Sequence, residues 1–419
     1  MNLDHFIASF QQYLNEQCYE CDQINLVRKR LFNTRLLAIS ILTLIADRAS
    51  SGYKLLSSFI TADSKDGDGH IFPGFCASSF SVARKKLSPY FFVDLSQWIY
   101  RYLAKEVSSD LWFGKHIFAI DGMKVVLPKK LEDDGFDDMG SGSYYPLGMI
   151  SSLFNLQLGI AYDVILSQHG DERASAQALL PSLPNDSVLI ADRGYFSFEL
   201  LHAAKQEKVD LILRISQAGC PKEISDFIKS NSKQLIVNLT SSLPTQRKAI
   251  RKGFAVTPVT VRLISYTRKK KRFVLLTTLL DPQISASDIA NLYGCRWDIE
   301  EHFKLLKEQM NIQKFKAHSL SGVLQEIFAA IFMATIAQAT VVIAKGSKIK
   351  KKSRMNYSVA SIVKSLRKVV VPIFQGILSL GVGWGFLLNK IIEISKSKFR
   401  PGRSYPRKSN KPIGKWVPC

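Results

Sequence analysis

The sequence predicts an α/β core between helical flanks, and three observations carry that expectation. Two apolar runs each end in an acid, Ile117-Phe-Ala-Ile-Asp121 and Val188-Leu-Ile-Ala-Asp192, as buried strands delivering a carboxylate do. Between and after them, strand-like runs alternate with helix-like ones. Before about residue 110, and again after residue 285, apolar residues recur at the helical spacing of three and four.

The length of 419 residues allows two or three domains and a sizeable core. A hydrophobic content of 46% and a mean hydropathy of +0.02 suit a folded chain rather than a disordered one. The net charge of +22 implies a polyanionic partner, either nucleic acid or an anionic membrane surface. Six scattered cysteines do not suggest a disulfide framework. Cys18 and Cys21 form a lone CxxC with no second pair, so reduced thiols are expected rather than a zinc site. The polar N-terminus shows no secretory signal, and a cytoplasmic location is expected.

In the helical first region, Phe6, Phe10 and Leu14 keep helical spacing, and residues 26–46 continue it around Arg28, Lys29, Arg30 and Arg35. A Gly, Asp and Ser-rich loop at 63–69 interrupts the pattern. Within 76–89, Ser78 or Ser79 can cap a helix whose exposed side carries Arg84, Lys85 and Lys86. Such a helix can read DNA or can simply be a solvated basic surface.

The run to Asp121-Gly122 and the strand-like run that follows predict a hairpin, with Asp121 at the end of its first strand. The acidic, Gly/Ser-rich stretch 132–143 is expected to be a mobile, solvated loop; it lacks EF-hand spacing. Residues 154–166 form a third strand-like run, 171–180 a helix, and 187–192 a strand ending in Asp192-Arg-Gly-Tyr. A helix at 197–206 and a strand at 209–215 follow. The order strand, strand, strand, helix, strand, helix, strand is that of a ribonuclease-H-like fold.

From 216 to 285 the pattern turns to short β-rich runs. Two of them flank Arg268, Lys269, Lys270, Lys271 and Arg272, a basic hairpin tip placed either to touch phosphates or to aid solubility. Ser285 and Asp288 have capping-box spacing, and a helix is expected to begin there.

That helix is expected to run on through Tyr-Gly-Cys-Arg-Trp-Asp-Ile-Glu-Glu-His-Phe-Lys-Leu-Leu-Lys, residues 293–307. On a wheel of about 100° per residue, Tyr293, Arg296, Glu300 and Lys307 fall within roughly 60°. Leu292, Cys295, Ile299, Phe303, Leu306 and Met310 form an apolar stripe beside them. Glu301 and His302 point elsewhere, so Glu300 is the candidate carboxylate and His302 reads as structural. Lys304, about 40° from Glu300, could assist with phosphates. The wheel alone also allows a surface ladder of ion pairs.

Downstream, apolar runs at 327–344 and 369–388 reach membrane-spanning length. Thr335, Gln338 and Thr340 in the first, and Pro372 with four glycines in the second, argue for packed helices instead. Residues 396–415 carry eight basic residues and no acid, and read as a disordered or DNA-gripping arm.

Tyr293-x2-Arg296-x3-Glu300-x6-Lys307 resembles the signature of the insertion-sequence family-four branch of DDE transposases, with all four residues at the family's spacings. Asp192-Arg-Gly-Tyr resembles that family's second catalytic segment. Asp121-Gly122 resembles the first, although Met123 stands where the family usually has Thr or Ser. The resemblance covers about residues 76–344 and accounts for a β-rich insertion before the glutamate. It implies cut-and-paste transposition by metal-dependent strand cleavage and strand transfer at the element ends.

Asp121, Asp192 and Glu300 would then be the catalytic residues and would hold two Mg²⁺ ions, with Mn²⁺ as a substitute. Arg296, Lys307 and Tyr293 would contact phosphates of the DNA end. Trp297 matches a family tryptophan and would stack on a base or pack, with packing slightly favoured. The partners implied are double-stranded DNA and a second copy of the chain in a synaptic complex, with no membrane. The location implied is the bacterial cytoplasm, at the nucleoid when DNA is bound. A catalytically decayed DNA-binding relative and a basic membrane protein are the competing readings.

The expected division is a helical DNA-binding region (1–110), the first part of the core (111–215), the insertion (216–285), the second part of the core (286–394) and a basic flexible tail (395–419).

Overall fold

The computed structural model describes residues 3–25, 32–46, 77–106, 111–216, 220–251, 257–268, 270–310, 312–345, 355–374, 391 and 393–398. The expectations for Arg28, Lys29 and Arg30, the loop 63–69, Lys269, much of the second apolar run and nearly all of the basic tail fall outside these residues.

Four helices come first: α1 (Leu3–Asn25), α2 (Thr34–Ala46), α3 (Ala77–Arg84) and α4 (Phe91–Glu106). Phe6, Phe10 and Leu14 share the buried face of α1, as their spacing requires. Phe6 and Phe10 pack against Trp98 of α4 at ring separations of 6.2 and 5.6 Å.

Arg84 departs from expectation. The sequence puts it on an exposed basic side, but it is 4% exposed and shares a face with buried Phe80 and Leu87. Its guanidinium donates to Gln325 Oε1 (2.8 Å) and the Gly322 carbonyl (3.0 Å), and pairs with Glu326 at 3.3 Å. Buried charge is tolerable only when paired in this way. Lys85 and Lys86 are exposed, and neither Ser78 nor Ser79 precedes the helix, because α3 begins at Ala77.

The central sheet follows: β1 (His116–Val126), β2 (Leu147–Asn155), β3 (Ile160–Ser167), α5 (Glu172–Leu179), β4 (Ser187–Ala191), α6 (Phe198–Gln206) and β5 (Asp210–Arg214). Then come α7 (Lys222–Lys229), β6 (Gln234–Leu239), α8 (Leu243–Arg251), β7 (Val259–Arg268) and β8 (Lys271–Thr277). These eight strands form one sheet in the order β3-β2-β1-β4-β5-β8-β7-β6. Strands β1, β4 and β5 run parallel; every other pairing is antiparallel. The segment read as β-rich therefore extends the same sheet beyond β5 and also contributes α7 and α8.

The expected hairpin at Asp121 is instead one eleven-residue strand. Asp121 and Gly122 pair in register with Ser152 and Ser151 of β2, so the chain does not turn there. The run read as a single strand over 154–166 is two strands, and the turn between them is held by Asn155 Oδ1 accepting from the Gln157 and Leu158 amides. The acidic stretch after β1 is anchored rather than loose: Leu131 and Phe136 are buried, and Gln168 Nε2 donates to the Asp134 carbonyl.

Three helices complete the core: α9 (Ala286–Gly294), α10 (Trp297–Met310) and α11 (Leu320–Lys345). The capping box at Ser285 and Asp288 is formed. The expected single signature helix is broken at Cys295 and Arg296, and Cys295 is exposed rather than part of the buried stripe. The rest of that stripe, Leu292, Ile299, Phe303, Leu306 and Met310, is buried. His302 packs on Phe154 of β2 with ring centroids 4.9 Å apart. Phe154 lies opposite Ala119, so by two-residue alternation it shares the sheet face of Asp121. Helix α10 thus covers the face that carries Asp121.

Helix α11 is long and apolar enough to cross a membrane, and its most apolar stretch within Leu320–Ile343 is wholly buried inside the fold. A further helix, α12 (Val359–Phe374), packs against α11 and α2.

Candidate active site

The parallel pairing of β1 with β4 runs from His116 opposite Ser187 to Ala119 opposite Ile190. Carried two residues further, that register sets Asp121 level with Asp192. Strand β4 ends at Ala191, and β1 continues past it. Asp192 therefore stands just past the carboxyl end of β4, level with Asp121 in the middle of β1, where the two parallel strands part. That is the usual place for ligand chemistry in an α/β sheet.

The break between α9 and α10 turns Tyr293 and Arg296 toward these acids. The Tyr293 hydroxyl donates to Asp192 Oδ1 at 3.1 Å. Arg296 Nη2 donates to Glu300 Oε1 at 2.6 Å, one helical turn on, and its Nη1 lies 3.7 Å from Asp121 Oδ2. Arg214, at the end of β5, lies 3.7 Å from Asp192 Oδ1. So two guanidinium groups and a phenol hold three carboxylates in one neighbourhood.

The electrostatics reflect crowding. Burial raises the Asp121 carboxyl; the Gly122 amide and Arg296 oppose that, while the charges of Glu300 and Asp192 add to it. Burial and the Asp192 charge raise the Tyr293 phenol, so it stays a protonated donor. The Tyr195 hydroxyl is buried with no hydrogen-bond partner among the described residues, as is Arg296 Nε.

These acids offer hard oxygen donors, the set that suits Mg²⁺ or Mn²⁺, and the orphaned Tyr195 hydroxyl leaves a donor for a further oxygen. The residues present fit such an ion in chemistry. Among the described residues no three acidic, His or Cys side chains form a ready metal cage. The Arg296 guanidinium stands between Asp121 and Glu300 instead.

Beside the acids lies a cleft of about 550 Å³. Arg268, Tyr293, Arg296 and Trp297, all singled out in the sequence, line it. Trp297, where packing was favoured, is 44% exposed and lies under the Arg296 guanidinium at 5.7 Å. Lys270 is exposed at the hairpin turn, and Lys307 is exposed on α10; neither lines the cleft. Lys85 is exposed just past the end of α3, and Arg84 is withdrawn into the core. Lys304 faces a different cleft together with Asp298, Glu301 and Glu308, so its reading as a phosphate contact is not supported.

Several residues of the site were missed in the sequence. Lys271 of the expected basic tip lines the cleft, and with it the unanticipated Arg214, Tyr266 and Phe273, Arg214 lying 5.0 Å over the Phe273 ring. Their signal was weak: a charge ending an apolar strand, and aromatic residues alternating along a basic hairpin. Arg272 turns away from the tip and caps α7, donating to the carbonyls of Ile228 (2.9 Å) and Ser230 (2.7 Å).

The family pattern described as "Transposase DDE domain" matches residues 112–336, more than half of the chain. The chain belongs to the DDE transposase family. Among its relatives in Escherichia coli (strain K12), the transposase InsG for insertion sequence element IS4 is 25% identical over 216 residues, 50% of this chain and 48% of that protein. The putative transposase InsZ of the same strain is 25% identical over 135 residues, 30% of this chain and 42% of that one. This DDE transposase thus spans about half the length of the curated relatives it matches. A cryo-EM structure of the piggyBac transposase synaptic complex with hairpin DNA aligns with a TM-score of 0.42 at 12% identity, over 94% of this chain and 84% of that chain. The resemblance to insertion-sequence family four read from Tyr293 to Lys307 agrees with the family match and these relatives.

Proposed function

We propose that this chain is a cut-and-paste DNA transposase that nicks element ends by metal-dependent hydrolysis and joins the freed 3′-hydroxyl to a second strand. The observation that carries this reading is the approach of three acids from distant segments, Asp121, Asp192 and Glu300, beside a cleft lined by arginine and aromatic side chains. Strand order β3-β2-β1-β4-β5, with the first three antiparallel and the rest parallel, supports a ribonuclease-H-like core. On this reading β6 to β8 belong to the insertion, and the division proposed is that set out from the sequence.

Asp121, Asp192 and Glu300 are the residues that would hold the divalent ions. Two such ions, when bound, neutralise the attacked phosphate and activate the attacking oxygen. Arg214, Arg296 and Arg268 orient the phosphate backbone, and Arg296 does so with a forked donor that Lys cannot reproduce. Trp297 offers a stacking face for a displaced base. Lys307, Lys85, Lys269 and Lys270 are proposed as further contacts to backbone phosphates. Cleavage of paired ends calls for a homodimer on double-stranded DNA, in the cytoplasm.

The test is a nicking assay on end-containing DNA with Mg²⁺ or Mn²⁺. Asp121→Asn, Asp192→Asn and Glu300→Gln should each abolish nicking and keep DNA binding. Metal-dependent nicking that survives any one of these changes refutes the assignment. Pure wild-type protein that binds DNA and never nicks it supports a decayed DNA-binding relative.

A further inference from the structure

Glu172 is the first residue of α5, where an acid commonly serves the helix terminus. That task is already filled: Asp171 is the cap, and its carboxylate accepts from the Arg173 (3.0 Å) and Ala174 (3.1 Å) amides. Glu172 instead turns inward to the turn that follows Asp192. Its Oε2 would lie 3.0 Å from a Cβ placed on Gly194, two residues beyond Asp192. Arg173 Nε donates to the Gly194 carbonyl at 2.8 Å and fastens α5 to that turn.

Tyr195 is the independent sign of a missing ligand. It is 1% exposed, and its hydroxyl has no hydrogen-bond partner among the described residues. The charges it senses are those of Glu172, Asp121, Arg296 and Asp192, so it is aimed into the same cluster. A buried hydroxyl without a partner costs free energy unless something supplies one. Four carboxylates are then grouped with three guanidinium groups, Arg214 and Arg296 at Asp192, Asp121 and Glu300 and Arg173 beside Glu172, and a divalent cation would offset the acid left over.

We propose that Glu172 is a fourth carboxylate of the cation site with Asp121 and Asp192, and that the Tyr195 hydroxyl is held beneath it as a hydrogen-bond donor. This rests on the metal-dependent reading above.

The test is Mn²⁺ binding to the full chain without DNA, followed by the electron paramagnetic resonance of free Mn²⁺. Asp121→Asn should lose binding. Glu172→Gln should weaken it about tenfold or more, and Tyr195→Phe by less. Glu172→Asp keeps the charge at the helix start but draws the carboxylate back by one methylene, and is expected to weaken binding as well. If Glu172→Gln fails to fold, Glu172→Asp decides: wild-type affinity in it overturns the proposal. Wild-type affinity in Glu172→Gln, with binding lost in Asp121→Asn, overturns the Glu172 assignment alone. Binding unchanged in Asp121→Asn overturns the metal-site reading beneath it.

Discussion

The Tyr293 hydroxyl donates to Asp192 Oδ1 at 3.1 Å, joining two residues 101 positions apart. One lies at the end of α9 and the other just past β4, so the bond ties the signature segment to the sheet. The resemblance gives Tyr293 to a DNA phosphate, yet without DNA it serves the acid. Tyr293→Phe removes one hydrogen bond to a carboxylate that is about one-third exposed. The expected loss is about 1 kcal/mol, or roughly 2 °C in melting temperature, with slower nicking. Thermal unfolding checks it, and an unchanged melting temperature would show the bond to be idle.

Arg296 stands between Asp121 and Glu300, the position in which a cation is expected. It therefore competes with a metal before DNA arrives and is drawn to phosphate afterwards. Arg296→Gln should raise Mn²⁺ affinity without DNA by about tenfold, or about 1.4 kcal/mol, and lower nicking. Paired Mn²⁺ titrations and nicking rates test both halves. Weaker Mn²⁺ binding would mean that Arg296 positions Glu300 instead of excluding the ion.

What was legible in the sequence follows a physical division. Asp121 and Asp192 were visible because each ends an apolar run, and Arg296 with Glu300 because a spacing of four places them on one helical face. The helix break at Cys295 was hidden, since the periodicity of Leu292, Ile299 and Phe303 carries across it. The straight strand through Asp121 was hidden too: its continuation depends on pairing with Ser151 and Ser152, a tertiary contact. The attachment of β8 to β5 has no local signal.

Arg84 failed as an exposed residue because its partner is 242 positions away. Glu326 is the lone acid of α11, a signal that could have been read as a demand for a buried cation. Burial raises the Glu326 carboxyl, while Arg84 and the amides of Lys316 and Ala317 hold it down. Arg84→Met should cost about 3–5 kcal/mol, because an unpaired charge is left in the core. Lys85→Ala should leave stability alone and reduce the salt dependence of DNA binding by about one unit of slope. Urea unfolding and salt titrations separate the two, and a stable Arg84→Met protein would refute the buried-pair account.

His302 supplies a pH signature that belongs to the fold rather than to the chemistry. It is buried against Phe154, its Nε2 has no partner among the described residues, and burial pushes its pKa down to about 4. In the unfolded chain a histidine titrates near 6.5. Between those values the unfolded state takes up a proton that the folded state refuses, so stability is full above about pH 6.5 and falls as pH drops toward 4. At pH 5 the penalty is about 2 kcal/mol relative to neutral pH. His302→Leu keeps the contact with Phe154 and should remove that slope, which urea unfolding at pH 7.5 and pH 5 would reveal as a smaller difference than in the wild type. An equal difference in both proteins would mean that the imidazole is protonated in place, with a partner for its charge inside the core.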